Sequence, residues 1–191
     1  MGDIGTHAEN LSEYVTGLRI VELCADLTTF VKGRRLDDDG NVLVRFQKGV
    51  RGLLHASQVS IGEDNALSIR IYGERKGLEW RQEEPNVLQV KRSNGPVEVW
   101  SRGHGYVAEK SPAAARASSL PAGHPEAFHE AFANVYRNAA DTIRARLAHS
   151  RPDPLALDYP TVDDFLRGML FIAAVLESAG ANRRWTRVPT R

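Results

Sequence analysis

Hydrophobic and polar positions change their period twice along this chain, and the changes predict its architecture. From Asp3 to about Thr16, Ile4, Ala8, Leu11 and Val15 recur at three- and four-residue steps, the spacing of one helix face. Gly17 follows as the residue able to turn left-handed and end the helix. From Arg19 to Arg102 the period shortens to two. Within a strand expected over Arg19 to Val31, Val21, Leu23, Ala25 and Leu27 alternate with Glu22, Cys24, Asp26 and Thr28. Val42, Val44 and Phe46 then alternate with Leu43 and Arg45, and Leu67, Ile69 and Ile71 with Ser68 and Arg70. Further strands are expected over 53–61, 78–82, 87–91 and 97–102, with Asn94-Gly95 the plainest hairpin turn between them. Links this short favour antiparallel pairing, because parallel strands need a crossover of about a dozen residues.

Helical spacing returns after a Pro-, Ala- and Ser-rich stretch, 111–123, that reads as a loop. Pro125 suits the first turn of a helix running to about His149, with Phe128, Phe132, Val135, Ala139, Ile143 and Leu147 as its apolar stripe. Thr161 with Asp164 resembles a capping box for a last helix carrying Phe165, Met169, Ile172, Leu176 and Ala179. Leu166, Leu170 and Ala173 widen that stripe past half the girth, which predicts burial on two sides. Gly180 ends it, and Trp185 is expected to tuck a short strand onto the sheet edge. The expected class is α+β: a large, mostly antiparallel open β-sheet with helices packed on one face, forming a single domain over 1–191. Such a sheet leaves a polar but not bare second face, with Arg45, Gln58, Arg70, Tyr72, Gln89 and Trp100 on it, open to self-association.

Composition narrows the partners. With 42% hydrophobic and 26% charged residues the chain is an ordinary globular one, and a net charge of +1 provides no broad basic field for nucleic acid or an anionic membrane. The longest apolar run, 169–176, falls far short of the roughly 20 residues that span a bilayer, and no secretory signal opens the chain, so a cytoplasmic protein is expected. One cysteine, Cys24, allows no internal disulfide or structural zinc site and is expected to be an inert core thiol.

Asp3 and His7 are the candidate chemistry. Four residues apart, they share one face of a helix, and a carboxylate beside an imidazole suits a proton-transfer pair. A helix-start acid plus a surface histidine fits the same spacing. Gly103-His-Gly105-Tyr-Val-Ala108 matches the G-x-G-x-x-A dinucleotide pattern after a strand, yet it runs into Ser111-Pro112 with no convincing helix, so no nucleotide site is expected there. The charged stretch 32–40 reads as a solvated hairpin connection rather than a metal site. His55 is expected to be packed or hydrogen-bonded, His104 and His149 to lie on the surface, and His124 and His129, five apart, to diverge rather than share a metal.

The block Asp3-Ile-Gly-Thr-His7-Ala-Glu-Asn10-Leu resembles the Asp-x-x-x-His signature of the Gfo/Idh/MocA oxidoreductases, the glucose–fructose oxidoreductase and inositol dehydrogenase family. The likeness continues through Tyr14-Val-Thr-Gly17, Ala66 to Gly73, Gly77-Leu-Glu-Trp80, Gly123-His-Pro-Glu126 and Ala131-Phe-Ala-Asn134. It implies the C-terminal, substrate-binding and oligomerisation domain of such an enzyme, with the N-terminal nucleotide-binding domain absent. The implied reaction is oxidation of a secondary hydroxyl on a sugar, polyol or related small molecule, or its reverse, with NAD or NADP as hydride carrier. His7 would take the hydroxyl proton, Asp3 would orient the ring or hold a neighbouring hydroxyl, and Asn10 and His124 would contact substrate. The family's catalytic lysine has no counterpart: Lys110 of Glu109-Lys-Ser-Pro112 falls after the Asp-x-x-x-His helix, not before it. The chain by itself is expected neither to bind NAD(P) nor to turn over. The resemblance also implies homo-oligomers paired through the open sheet face. A non-catalytic small-molecule-binding module, or an oligomeric scaffold derived from the family, stands as the alternative.

Overall fold

The computed structural model describes residues 1–189, and its helices and strands follow both changes of period. They fall into two compact units, residues 1–64 with 160 onward, and residues 65–159.

The first unit contains helix α1 (Gly5–Thr16), strands β1 (Ile20–Thr28), β2 (Asp39–Phe46) and β3 (Arg51–Ser57), helix α5 (Val162–Gly180) and the two-residue strand β8 (Thr186–Arg187). Its sheet runs β3-β2-β1-β8, antiparallel throughout. Gly17 takes the left-handed conformation (φ 65°) that ends α1, and its N–H returns to Glu13 O at 2.9 Å. Alternation places Val42, Val44 and Phe46 in the core, as expected. In β1 the ladder slips: Ile20 pairs with Phe46 but Glu22 with Arg45, so Val21 is an extra residue. This bulge lets Ile20 and Leu23 both face inward, and Val21 leaves the face that strict alternation assigns it. Gly52 admits a close approach, since a Cβ there would meet the Phe46 ring and Val44 at 3.0 Å.

Helix α5 covers this sheet with Phe171, Ala174, Val175 and Ser178, while Gly168 faces Thr6 and Glu9 of α1. Much of the expected stripe points the other way, Phe165 being 70% exposed and Met169 and Leu176 exposed with it. The helix is apolar on both sides, so periodicity alone could not choose, and the small residues on the inward side let it approach the strands. Ser178 also satisfies the ladder where β8 runs out, accepting from Ala25 N at 3.0 Å and donating to Arg184 O at 2.6 Å. Thr161 and Asp164 form the expected N-terminal cap, with Thr161 N donating to the Asp164 carboxylate at 2.7 Å. Cys24 lies partly exposed with Sγ 3.0 Å from Arg183 O, which corrects the core placement expected for it.

The second unit has its own antiparallel sheet, β4 (Ser68–Tyr72), β5 (Lys76–Arg81), β6 (Val87–Arg92) and β7 (Glu98–Ser101), in that order. The strands thus divide between two four-stranded sheets instead of running on as one, because β3 stops at Ser57 and residues 58–67, most of them exposed, join no ladder. Register places Leu88 opposite Trp100 and Gln89 opposite Val99, so Val99, not Trp100, shares the face of Gln89. Two short helices correct the expectation: α2 (Gly105–Lys110) stands where no convincing helix was expected, and α3 (Pro112–Ala117) inside the expected loop, capped by Ser111 Oγ accepting from Ala114 N. Helix α4 (Phe128–Leu147) starts three residues past Pro125, where Glu130 accepts from Ala127 N. Its apolar stripe is largely exposed, and the residues it buries are Asn138 and Thr142. These bind a 3₁₀ turn (Pro154–Leu157) and its neighbour, Thr142 Oγ1 donating to Ala156 O and Asn138 Nδ2 to Asp158 O.

The facing of α5 can be checked by truncation. Phe171→Ala, at a fully buried site, is expected to cost about 3–5 kcal/mol in urea unfolding, and Phe165→Ala less than about 1 kcal/mol.

Candidate active site

Helix α1 is unusual in burying acids. Its inward face is Gly5, Glu9, Ser12 and Glu13, while His7, Asn10 and Tyr14 lie on the exposed side, in step with Asp3 four residues before His7. Asp3 stands in the turn preceding the helix rather than in its first turn, and its carbonyl accepts from Thr6 Oγ1 at 3.1 Å. Its carboxylate accepts from Gln58 Nε2 at 3.2 Å.

One guanidinium, that of Arg167, stands by both inward acids but bonds only Glu13. Arg167 of α5 places Nε 3.2 Å from both Glu13 oxygens and Nη2 2.7 Å from Oε1. Arg19 Nη1 (2.7 Å) and the Ile20 N–H (2.7 Å) complete the acceptance around Glu13. Arg167 also donates to Ile20 O and, at 2.9 Å, to Pro189 O, so it ties α1, β1 and the residues after β8 together. Although burial alone would raise it, these bonds hold the Glu13 carboxyl below its ordinary range. Glu9 has no such support. It is 1% exposed, its Oε1 is 3.8 Å from Arg167 Nε, and that oxygen has no hydrogen-bond partner. Loss of water, followed by the nearby Glu13 charge, pushes its pKa up to about 7.

The Gly123-His-Pro-Glu126 segment belongs to the second unit. His124 is exposed there, and the buried member is Glu126, whose carboxylate accepts from Ser119 N at 2.6 Å and from Leu120 N. Arg102 binds Glu126 at 3.3 Å, Asn86 Oδ1 at 2.8 Å, Leu120 O at 2.9 Å and the His124 carbonyl. Thus Arg102 and Glu126 shape the loop that presents His124. Sequence reading named His124 and missed that pair, as it missed Arg167 and the bond from Gln58, expected on the open sheet face, to Asp3; each bridges positions that no local spacing connects.

The G-x-G-x-x-A segment does not fit a dinucleotide. Gly103 has φ 80°, and a Cβ there would lie 3.0 Å from Ala122 N, so the missing side chain admits the chain's own backbone rather than a phosphate. The helix it opens, α2, is six residues long. His55 Nδ1 meets Asn41 Oδ1 at 3.0 Å, in keeping with its structural reading. Among the described residues no group of His, Cys, Asp and Glu could hold a metal ion, and no helix is long and apolar enough to cross a membrane.

Residues 1–79 match the GFO/IDH/MocA C-terminal domain family model. The fold is similar to that of an oxidoreductase from Sinorhizobium meliloti (TM-score 0.88, 45% identity, 96% of this chain and 50% of that one). It is similar also to an inositol dehydrogenase homolog from Azotobacter vinelandii complexed with NAD+ (TM-score 0.85, 32% identity, 97% of this chain and 47% of that one), which has been solved with NADH and myo-inositol as well. The uncharacterized oxidoreductase YfiI of Bacillus subtilis (strain 168) is 29% identical over 187 residues, 97% of this chain and 47% of its own length. The chain therefore spans about half the length of the relatives it matches.

The α1 seam sets a pH dependence. Between the ordinary Glu value of 4.5 and about 7, folded Glu9 keeps a proton that the unfolded chain has released. Its stabilising contribution is full below 4.5 and is lost as pH rises through about 7. The depressed Glu13 contributes in the opposite sense, its share being lost as pH falls through its folded value. Urea unfolding at pH 5 and pH 8 is expected to show Glu9→Gln removing an alkaline-side loss on the order of 1–3 kcal/mol.

Proposed function

The chain carries a GFO/IDH/MocA C-terminal domain, matched over residues 1–79, and from that premise we propose that it is the substrate-handling portion of an NAD(P)-dependent oxidoreductase acting on a secondary hydroxyl of a sugar, polyol or related small molecule. The observation that carries the reading is the polarity of α1: its buried side is held by Arg167, and its open side offers His7 and Asn10 in step with Asp3.

Oxidation of a secondary alcohol releases a proton from oxygen and a hydride from carbon. The proton is the part assigned to this chain. His7 accepts it through its imidazole, which lies on the exposed side of α1. Asp3, its carboxylate held by Gln58, favours the imidazolium that results, and Asn10 hydrogen-bonds a neighbouring hydroxyl. His124 is proposed as a substrate contact in its own right. NAD or NADH is bound in the Azotobacter vinelandii relative, and NAD or NADP is the carrier proposed for the complete reaction. Turnover by this chain alone is not expected.

Nuclear magnetic resonance titration with myo-inositol tests this. Shifts at His7 and Asn10 that disappear in His7→Ala and Asp3→Asn are expected, with a weaker response in His124→Ala. Shifts confined to residues away from α1, or indifferent to those variants, overturn it, as does micromolar NADH binding in calorimetry.

A homo-oligomer paired through the first sheet is part of the same proposal. Leu43 and Leu53 stand opposite each other on its outer face, both exposed, beside Arg45, which stacks 3.8 Å over the Trp185 ring. Leu53→Asp is expected to weaken association in sedimentation equilibrium, and an unchanged profile counts against it.

A further inference from the structure

Two loops leave the same end of the first unit's sheet. Thr28 pairs with Asp39 and Asp39 with Ser57, so the β1–β2 loop and the chain leaving β3 start side by side. Gln58 N donates to Asp38 O at 2.7 Å across that junction.

The first loop is shaped from within. The buried Asp38 carboxylate accepts from Phe30 N at 2.8 Å, Val31 N at 3.0 Å and Arg34 Nη1 at 3.3 Å. Thr29 Oγ1 donates to Leu36 O, and Arg34 N to Val31 O, both at 3.2 Å. A loop so braced has already given up its freedom, yet it does not bury its own apolar side chains: Phe30 is 67% and Leu36 78% exposed, with Val31 exposed between them. Lys32 and Arg35 flank them, with no ion pair among the described residues. The second loop, 58–67, presents a fully exposed Ile61 next to Glu63 and Asp64, which likewise lack a cationic partner among the described residues.

We propose that these loops form one self-complementary docking surface for a second copy of this chain, the basic loop of each copy lying against the acidic loop of the other. Patches of opposite charge on loops that leave the sheet side by side meet their complements under a two-fold axis, which makes the contact isologous and closed. Phe30, Leu36 and Ile61 supply its apolar centre, and Lys32, Arg35, Glu63 and Asp64 its charged rim. The bracing by Asp38 reduces the ordering cost on association. With a net charge of only +1, the chain has no overall field to oppose two copies meeting, so the local charges set partner and register. This surface is distinct from the Leu43–Leu53 face.

Charge reversal with mixing tests it. Sedimentation equilibrium is run in a Leu53→Asp background, which removes the sheet-face contact, on that chain, on its Lys32→Glu/Arg35→Glu and Glu63→Lys/Asp64→Lys derivatives, and on an equimolar mixture of the two; circular dichroism confirms that each folds. The parent is expected to dimerise, with an association constant falling about tenfold or more between low and high salt. Each derivative alone is expected to be monomeric, and the mixture to dimerise again because its altered loops now match. A monomeric parent, a derivative that retains the dimer, or a mixture no better than its components overturns the proposal. None of these readouts involves substrate.

Discussion

The first unit depends on a guanidinium buried between two carboxylates. Arg167 reaches α1 through Glu13, β1 through Ile20 O and the residues after β8 through Pro189 O. A buried ion pair is rarely a large net source of stability, but removing one partner generally costs about 3–5 kcal/mol because the other charge is stranded. The arrangement is therefore better at specifying one seating of α1 than at stabilising it. An apolar seam could slide by a residue with little loss, whereas the forked contact to Glu13 has one register. The outward angle of His7 follows from that register.

The seam holds two acids and shares its cations unevenly. Glu13 takes Arg167, Arg19 and a backbone N–H, while Glu9 has the more distant edge of Arg167 and an oxygen without a partner. The protonated form of Glu9 is the one that suits this space. Asp38 shows the contrasting use of a buried carboxylate: two backbone N–H groups and Arg34 hold it below the ordinary range. Burial alone does not decide the state of an acid in this fold; the donors within reach do.

Much of the architecture was legible where local pattern suffices. Helix α1 and its Gly17 stop, the alternation of Val42, Val44 and Phe46, and the Thr161–Asp164 cap are carried within a few residues of sequence. Resemblance in the Asp3–Leu11 block indicated the family that the match over 1–79 bears out. Sidedness was not legible in α4 and α5. An amphipathic pattern locates an apolar face but not its partner, and α4 buries Asn138 and Thr142 while Phe128 and Phe132 meet solvent. The supports of the candidate site were equally hidden. Arg167 and Glu13 are 154 positions apart and Gln58 and Asp3 55 apart, so no spacing rule links them. The Val21 bulge escaped for a different reason: alternation assumes an unbroken ladder, and one extra residue re-phases everything before it.

The way the first unit is stitched has a consequence for its assembly. Its sheet begins with residues near one end of the chain and is finished by β8, and its main covering helix is α5, with the whole of the second unit lying between. On a ribosome, β1 to β3 emerge with an exposed core face and wait for the 160–188 stretch, whereas 65–159 is continuous and can form as it is made. The nascent chain thus passes through an interval in which Ile20, Leu23 and Val44 lack their cover. During that interval, chaperone capture or premature termination would act most strongly on the half of the molecule that bears His7.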